Sequence, residues 1–582
     1  VKTEEKPLWH RVWGEATALL ERTRRVSWVD VLVLAGVAGL FIGLISLARQ
    51  WTGAHQPKIE IDLSPWALPR YTFFSLSRGL IAYIFSLAFT LVYGYWAAKD
   101  RVAERVLIPV LDILQSIPVL SFLPGLMLAL QALFPRSNFG LELASVLTIF
   151  TGQAWNMTFS FYHSLRSIPQ DQNEAATVYR FNWWQRFKWL ELPFATVGLV
   201  WNSMMSMAGG WFFLAISEAF TLRGTDFQLP GLGSYMKVAV DEGRTDCMLW
   251  AILAMVTMIV ALDQLLWRPI VVWAQKFRVE EVGHEEAMSS WFLNWLRRSH
   301  LWATGGRLLE RGRQRWEIQR ANRAAAKRKP VSASGGAKPA SLIAFVLLVA
   351  LLLFGAVALV VLLWPVRWVE WVETLAAAIL TLGRVLLSLV LGTAWTLPAG
   401  LAIGLTPRLS RLLQPIVQIV ASFPASMLYP LVIAGLALAH VDLGWGSILL
   451  MLLGTQWYIL FNVIAGAMAI PADLREAARS YRLGLWQRFR TLYLPAVFPQ
   501  LVTGWITAAG GAWNASIVAE YVDYKKDVIM TGGLGAQIHW AYDAGDEALL
   551  AASILVLAVV VVGFNGTVWR YLYRLAAQRF SL

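Results

Sequence analysis

Residues 341–364, SLIAFVLLVALLLFGAVALVVLLW, contain no charged side chain. An α-helix rises about 1.5 Å per residue, so about 20 apolar residues cross the ~30 Å hydrocarbon core of a bilayer. The pattern recurs along the chain. Six windows are expected in the first half, at about 31–48, 78–97, 108–134, 143–164, 197–219 and 249–268. Six more are expected in the second, at about 341–364, 376–404, 412–437, 446–468, 501–520 and 549–569. The fold class is therefore all-α and polytopic, with about 12 transmembrane helices and a lipid bilayer as solvent. Prolines interrupt the third window of each half (Pro118 and Pro124; Pro424 and Pro430).

Composition sharpens this. Of 582 residues, 57% are hydrophobic and 15% charged, against about 25% charged in soluble domains. That is too few charges to cover a soluble surface, which excludes secreted globular and disordered proteins. The 30 Trp suit two water–lipid interfaces. Basic loops that fix topology account for the net charge of +13 better than a nucleic-acid partner does. The single cysteine, Cys247, forms neither an internal disulfide nor a Cys-based metal site.

Lys and Arg set the expected orientation. The tail at 1–30 carries Lys2, Lys6, Arg11, Arg22, Arg24 and Arg25, which places it in the cytoplasm. Counting spans puts Lys99, Arg101 and Arg105, the loop at 165–196, and the C-terminal tail with Arg570, Arg574 and Arg579 on the same side. Segments 49–72 and 221–247 fall outside. The first apolar window reads as an anchor helix, because its basic leader is long for a signal peptide and further spans follow. Residues 269–340 hold fourteen Lys or Arg against six acids and read as a cytoplasmic linker. Within it, Trp291, Trp295 and Trp302 near Arg297 and Arg298 suit either a helix on the membrane surface or a packed cytoplasmic helix.

The chain contains itself twice. Residues 168–193 align without gaps on 470–495, with fifteen of 26 positions identical at an offset of 302. The same offset pairs Trp211 with Trp513, Glu218 with Glu520, and Gly231-Leu-Gly233 with Gly533-Leu-Gly535. Upstream the offset is 306, pairing Arg78 with Arg384, Gly94 with Gly400 and Pro118 with Pro424. Two repeats follow, 31–275 with an inner loop at 165–196, and 341–582 with an inner loop at 467–498, joined by the linker at 276–340. Six spans is an even number, so the repeats are parallel, with a pseudo-twofold seam where a substrate path can form.

Each inner loop is built alike. A proline precedes Asp171 or Asp473, and Glu174 or Glu476 follows three residues later, a spacing that suits a capping-box-like helix start. Then come Ala175 and Ala176, or Ala477 and Ala478. Trp184, Phe187 and Leu190, like Trp486, Phe489 and Leu492, form an apolar stripe on a second helix, and the loop ends at Leu192-Pro193 or Leu494-Pro495. Capping alone accounts for a glutamate; it does not account for a whole exposed loop kept alike in two copies.

The doubled EAA segment before LP resembles the EAA loop of permease subunits of binding-protein-dependent ABC importers. The resemblance implies that Asp171, Glu174, Ala175, Ala176 and Arg180, with Asp473, Glu476, Ala477, Ala478 and Arg482, dock two cytoplasmic ATP-binding subunits. It implies ATP and Mg on those subunits, no cofactor in this chain, a prokaryotic inner membrane, and an extracytoplasmic substrate-binding protein meeting the polar, Gly-rich segments at 221–247 and 523–548. Where the family usually has Gly, four positions after the second alanine, this chain has Arg180 and Arg482. That suggests a helix that continues slightly further, or a charged contact. The GGWFFLAISEAF and GGAWNASIVAEYV segments resemble the nitrate/sulfonate/bicarbonate branch, which implies a small anion as cargo; ferric ion, thiamine or an amino acid are the alternatives within the same architecture.

No G-x4-G-K-S/T loop occurs in the chain, and no catalytic constellation is evident, so an enzyme is not expected. A self-sufficient secondary transporter is the competing class. Candidates for the substrate path are Arg78, Trp211, Glu218, Arg384, Trp513, Asn514 and Glu520. For the arginines and glutamates, a bracing ion pair in each half and a role in guiding an anion both remain open.

Overall fold

A computed structural model describes residues 28–53, 59–222, 225–277, 290–299, 339–524 and 527–580. The basic N-terminal tail and most of the linker, including Trp302, lie outside the described residues. The first half runs α1 (Trp28–Thr52), α2 (Pro65–Lys99), α3 (Arg101–Gln115), α4 (Val119–Leu133), α5 (Phe139–Arg166), α6 (Gln170–Val178) and α7 (Trp183–Glu218). A hairpin of β1 (Ala219–Leu222) and β2 (Thr225–Gln228) follows, then α8 (Leu232–Asp241) and α9 (Thr245–Phe277). The short α10 (Trp291–Leu296) lies in the linker. The second half repeats the order with α11 (Pro339–Leu363), α12 (Trp368–Leu405), α13 (Pro407–Ser422), α14 (Ala425–Leu438), α15 (Leu443–Met468), α16 (Ala472–Ser480) and α17 (Leu485–Ala519). It closes with β3 (Tyr521–Tyr524), β4 (Asp527–Met530), α18 (Leu534–Asp543) and α19 (Glu547–Arg579). Both hairpins are antiparallel, Ala219 facing Gln228 and Tyr521 facing Met530.

Eight described helices are long and apolar enough to cross a membrane, or ten when each bent pair counts as one span, where the sequence suggests about twelve. Two expected windows are not among these: α5, which has the length but carries Gln153, Asn156, Ser160, His163 and Ser164 along one helix, and α11, whose described apolar part is Val349–Leu363. The third span of each half is broken: α3 and α4 meet at 94°, α13 and α14 at 78°. Pro118 and Pro424 force the residue before them out of the helical region, and Ile117 and Phe423 have ψ of 121° and 131°.

The chain divides into two compact units, residues 1–50 with 262–336, and residues 51–261 with 337–582. In the first, Trp28 packs on Trp295 at 6.1 Å, Asp30 accepts from Ser299 at 2.6 Å, and Trp291 donates to Gln264 at 3.0 Å. The linker helix α10 is thus packed through Trp295 while Trp291 stays exposed. The second unit holds both repeats. Its cores form where α5 packs on α7, and α15 on α12 and α17. Across the seam, α4 packs on α17 and α13 packs on α7. Outward-facing side chains such as Phe354, Val361, Ile379 and Val390 are apolar and exposed, as helices surrounded by lipid require.

The sequence suggests that each inner loop ends at Leu-Pro ahead of a separate span. Instead the loop's second helix and the span are one helix, α7 or α17. Phe187–Glu191 and Phe489–Tyr493 form π turns immediately before Pro193 and Pro495. Proline lacks an N–H and its ring collides with the carbonyl four residues back. A wider turn accommodates it without ending the helix.

Candidate functional site

The two EAA helices, α6 and α16, are exposed and lie at the same end of the bundle. Phe580, just past α19, packs on Phe498 at the base of the second loop at 4.9 Å. Arg570, on α19, and His163, beneath the first, both lie in electrostatic reach of Asp112. Asp171, Glu174 and Ala175, and likewise Asp473, Glu476 and Ala477, are exposed, whereas Ala176 and Ala478 are 4% and 5% exposed. Ala176 and Ala478 thus face inward, and the acids face outward.

The helix starts differ from the sequence expectation. The N-caps are Pro169 and Pro471, with no side-chain cap, so Asp171–Glu174 is not a capping box. Asp171 and Asp473 sit in the first turn, where the helix dipole favours an anion. Gln170 donates to Glu174 at 2.8 Å. The capping box belongs to the next helix: Asn182 accepts from the Gln185 amide at 2.8 Å and its own amide donates to the Gln185 side chain at 3.0 Å.

The helix ends correct a second expectation. Neither helix continues through its arginine. Arg180 and Arg482 take φ of 51° and 52°, the left-handed region. The amides of Phe181 and Leu483 bond back to Ala176 and Ala478 at 2.9 and 3.1 Å, and those of Arg180 and Arg482 to Thr177 and Arg479, both at 2.9 Å. This is a Schellman turn built on arginine instead of glycine. A left-handed non-glycine residue costs about 1–2 kcal/mol, and glycine's extra unfolded-state entropy offsets about 0.4–1 kcal/mol of that. Arg180→Gly is therefore expected to stabilise the loop by about 0.5 kcal/mol, read as slower amide exchange across 176–182; faster exchange would contradict it.

The loops differ beneath the surface. In the first, the buried Glu191 meets Lys99 at 2.6 Å and Arg186 at 3.1 Å, and Arg186 donates to Asn173 at 2.5 Å. At the positions related by the two offsets, the second loop has Tyr493, Leu405, Arg488 and Arg475. The ionic brace exists in one copy.

At the opposite end, Arg78 and Glu218 come together, as do Arg384 and Glu520. Arg78 donates through Nη1 to Glu218 at 2.8 Å and to the Pro230 carbonyl at 2.9 Å, and through Nε and Nη2 to Glu142 at 2.6 and 2.8 Å. All three side chains are fully buried. Glu218 also accepts from Ser75 at 2.6 Å and from the Gly233 amide at 2.8 Å. In the second half, Arg384 donates to Glu520 at 2.8 Å, to Thr531 at 3.1 Å and to the Gly532 carbonyl, while Glu520 accepts from Thr381 at 2.9 Å and the Gly535 amide at 2.8 Å. The paired G-L-G segments have a steric reason: a Cβ on Gly231 or Gly533 would lie 2.3 or 2.4 Å from the glutamate carboxyl carbon.

Trp211 and Trp513 are 2% and 3% exposed, and the Trp211 ring presses on Gly79, where a Cβ would lie 2.7 Å away. Asn514 reaches across the seam and accepts from the Val119 amide at 2.7 Å, satisfying a free N–H at the broken start of α4. Its counterpart is Phe212, so the two crossings are chemically unequal. Sequence reasoning did not single out Glu142, nor an open polar surface hollow lined by Asn156, Ser160, His163, Arg166 and Asn202 near the first loop. The available signal was a polar run inside an apolar span.

Comparison with known proteins places these features. Residues 90–266 and 396–581 each match the family of binding-protein-dependent transport system inner membrane components. Together the matches cover more than half of the chain, which belongs to that family as a fused duplicate: a multi-pass inner-membrane permease of the ABC importer type. It is 27% identical over 188 residues to the nitrate import permease protein NrtB of Synechococcus elongatus, covering 32% of this chain and 63% of that protein. It is 24% identical to the taurine transport system permease protein TauC of Escherichia coli, covering 31% and 62%. It is 29% identical to the bicarbonate transport system permease protein CmpB of a Synechocystis strain, covering 33% and 63%. In each case the match spans less than two thirds of the relative's own length.

Proposed function

We propose that this chain is the membrane path of an ATP-driven importer for a small anion. An extracytoplasmic binding protein delivers the cargo at the hairpin end, and α6 and α16 each dock one cytoplasmic ATP-binding subunit. In this reading both termini are cytoplasmic and the two repeats rock about their seam. The observation that carries it is the pair of matched, exposed helices at one end of the bundle, each ended by the same strained turn. The named cargoes of the relatives, nitrate, taurine and bicarbonate, support the anion.

The test is ATP hydrolysis by the chain reconstituted in lipid with its ATP-binding subunits. Loaded binding protein is expected to raise the rate at least fivefold, and the chain alone to take up no substrate. Uptake into vesicles by the chain alone would overturn the reading in favour of a secondary transporter.

A further inference from the structure

The two inner loops share a backbone and differ in one slot. In the first, Asn173 accepts from Arg186 at 2.5 Å, and Glu191 closes the network on Arg186 and Lys99 at 3.1 and 2.6 Å. The cations there meet the chain's own carboxylate. In the second loop the positions of Asn173, Arg186, Glu191 and Lys99 hold Arg475, Arg488, Tyr493 and Leu405. The proline N-cap, the left-handed arginine and the π turn are the same in both loops. The two guanidiniums therefore lie side by side beneath α16, with the Tyr493 phenol where the carboxylate would be.

The slot carries charge of one sign. Neither Arg475 nor Arg488 forms a side-chain hydrogen bond or an ion pair among the described residues, and the Nε of each is shut off from solvent without a hydrogen-bond partner. Both side chains as a whole are half-buried, and their terminal nitrogens are not among the enclosed atoms; those are the atoms an occupant meets. Arg475 stands three residues before the buried Ala478, hence on the inward side of its helix, while Asp473 and Glu476 are exposed. All three polar side chains of the slot can donate, and none is a carboxylate. Like charges held together away from water are costly unless something compensates them. A guanidinium fork fits an oxyanion with two parallel N–H bonds.

We propose that the slot beneath α16 binds a small oxyanion of the phosphate or nitrate kind, which bridges Arg475 and Arg488 as Glu191 bridges Arg186 and Lys99. The bound anion ties α16 to the base of α17, a tie the first loop makes from its own residues. A small anion fits better than a partner's side chain, because the slot opens under the helix and not on its outward face. The site stands on the loop's own residues and goes beyond the transport reading. Within that reading the slot faces the cytoplasm, so one of the two ATPase docks stiffens as the anion accumulates inside and the other does not.

Amide hydrogen exchange on the full chain in lipid nanodiscs tests this, with inorganic phosphate and nitrate set against chloride at equal ionic strength. Phosphate is expected to slow exchange across 473–493 saturably, by about tenfold at about ten times its dissociation constant, and to leave 171–191 unchanged. Slowing by nitrate as well marks an imported anion as an occupant, and slowing by phosphate alone a cellular phosphate; either supports the site. Arg475→Gln with Arg488→Gln is expected to remove the effect. Tyr493→Glu, which restores the first loop's carboxylate, is expected to slow exchange with no anion added and to leave phosphate nothing further to do. Four results would overturn the proposal: no slowing by either anion, equal slowing in both loops, slowing that survives the double variant, or a phosphate effect undiminished in Tyr493→Glu. Protection that appears only when ATP-binding subunits are present would replace the small anion with a carboxylate of the partner.

Discussion

Reversing both loop glutamates together, Glu174→Lys with Glu476→Lys, is expected to abolish co-purification of the ATP-binding subunits while leaving the chain folded in the membrane. Both residues are exposed on short helices whose inner contacts run through Ala176 and Ala478, so the substitutions touch the exposed face and not the packing beneath it. Like charges set against each other across an interface cost several kcal/mol. Two tethered docks hold a paired ATPase far more tightly than one, by a factor on the order of 10²–10⁴. A single reversal should therefore weaken association at least tenfold and the double variant should leave none detectable. The loops are not electrically equal. The first helix, QDQNEAATV, carries two acids and no base, whereas the second, ADLREAARS, balances two acids with two arginines. Glu174→Lys alone is accordingly expected to cost more than Glu476→Lys alone. Full recovery of ATPase subunits by the double variant would remove the docking role from both helices.

The parts of the fold that could be read in advance are those repeated in both copies. An apolar window of about 20 residues must cross lipid or be buried, so the helical class follows from composition and periodicity. The doubled loop and the doubled Arg–Glu pairs were legible because each half vouched for the other. That same logic hid Glu142. At the offset of 302 its counterpart is Gly444, and the structure puts Gly444 beside the other arginine, where a Cβ would lie 3.6 Å from Arg384 Nη2. A search for matched positions passes over a residue that only one copy kept. Lys237 with Asp523, and Asn514 with the Val119 amide, escaped for a related reason: these contacts join one repeat to the other across about 290 and 395 residues, and no local pattern encodes such a meeting. Continuity of α7 through Pro193 escaped because proline usually marks a helix end, and the π turn that accommodates it has no composition of its own. The Schellman turns were misread because arginine in the left-handed region is uncommon. Of the two readings the sequence suggests, a longer helix or a charged contact, the backbone overturns the first: it reverses, held by the two amide bonds to the preceding turn.

The buried brace yields the other large effect. Among the described residues, Arg78 is the one cation paired with two fully buried carboxylates, Glu142 and Glu218, whereas Arg384 pairs with Glu520, and Thr381 and the Gly535 amide also serve that glutamate. Removing a cation from a buried pair costs about 3–5 kcal/mol, because the anion is left uncompensated. Arg78→Met strands two anions side by side and Arg384→Met strands one, so the first is expected to destabilise by at least about 3 kcal/mol and by more than the second. The chain provides its own reporter. Cys247 is its single cysteine and is 1% exposed, so a maleimide dye labels it only as the protein opens. Heating in detergent with the dye should show Arg78→Met opening well below the parent, with Arg384→Met between them. Neutralising the stranded acids, in Arg78→Met with Glu142→Gln and Glu218→Gln, should recover most of the loss, since no net charge then remains buried. The same series separates bracing from anion guidance. If the arginine guides cargo, the triple variant folds but transport stays abolished; if it braces, uptake returns together with the opening temperature. Arg78→Met opening at the parent's temperature would show that the cluster contributes nothing to holding α2, α5 and α7 together.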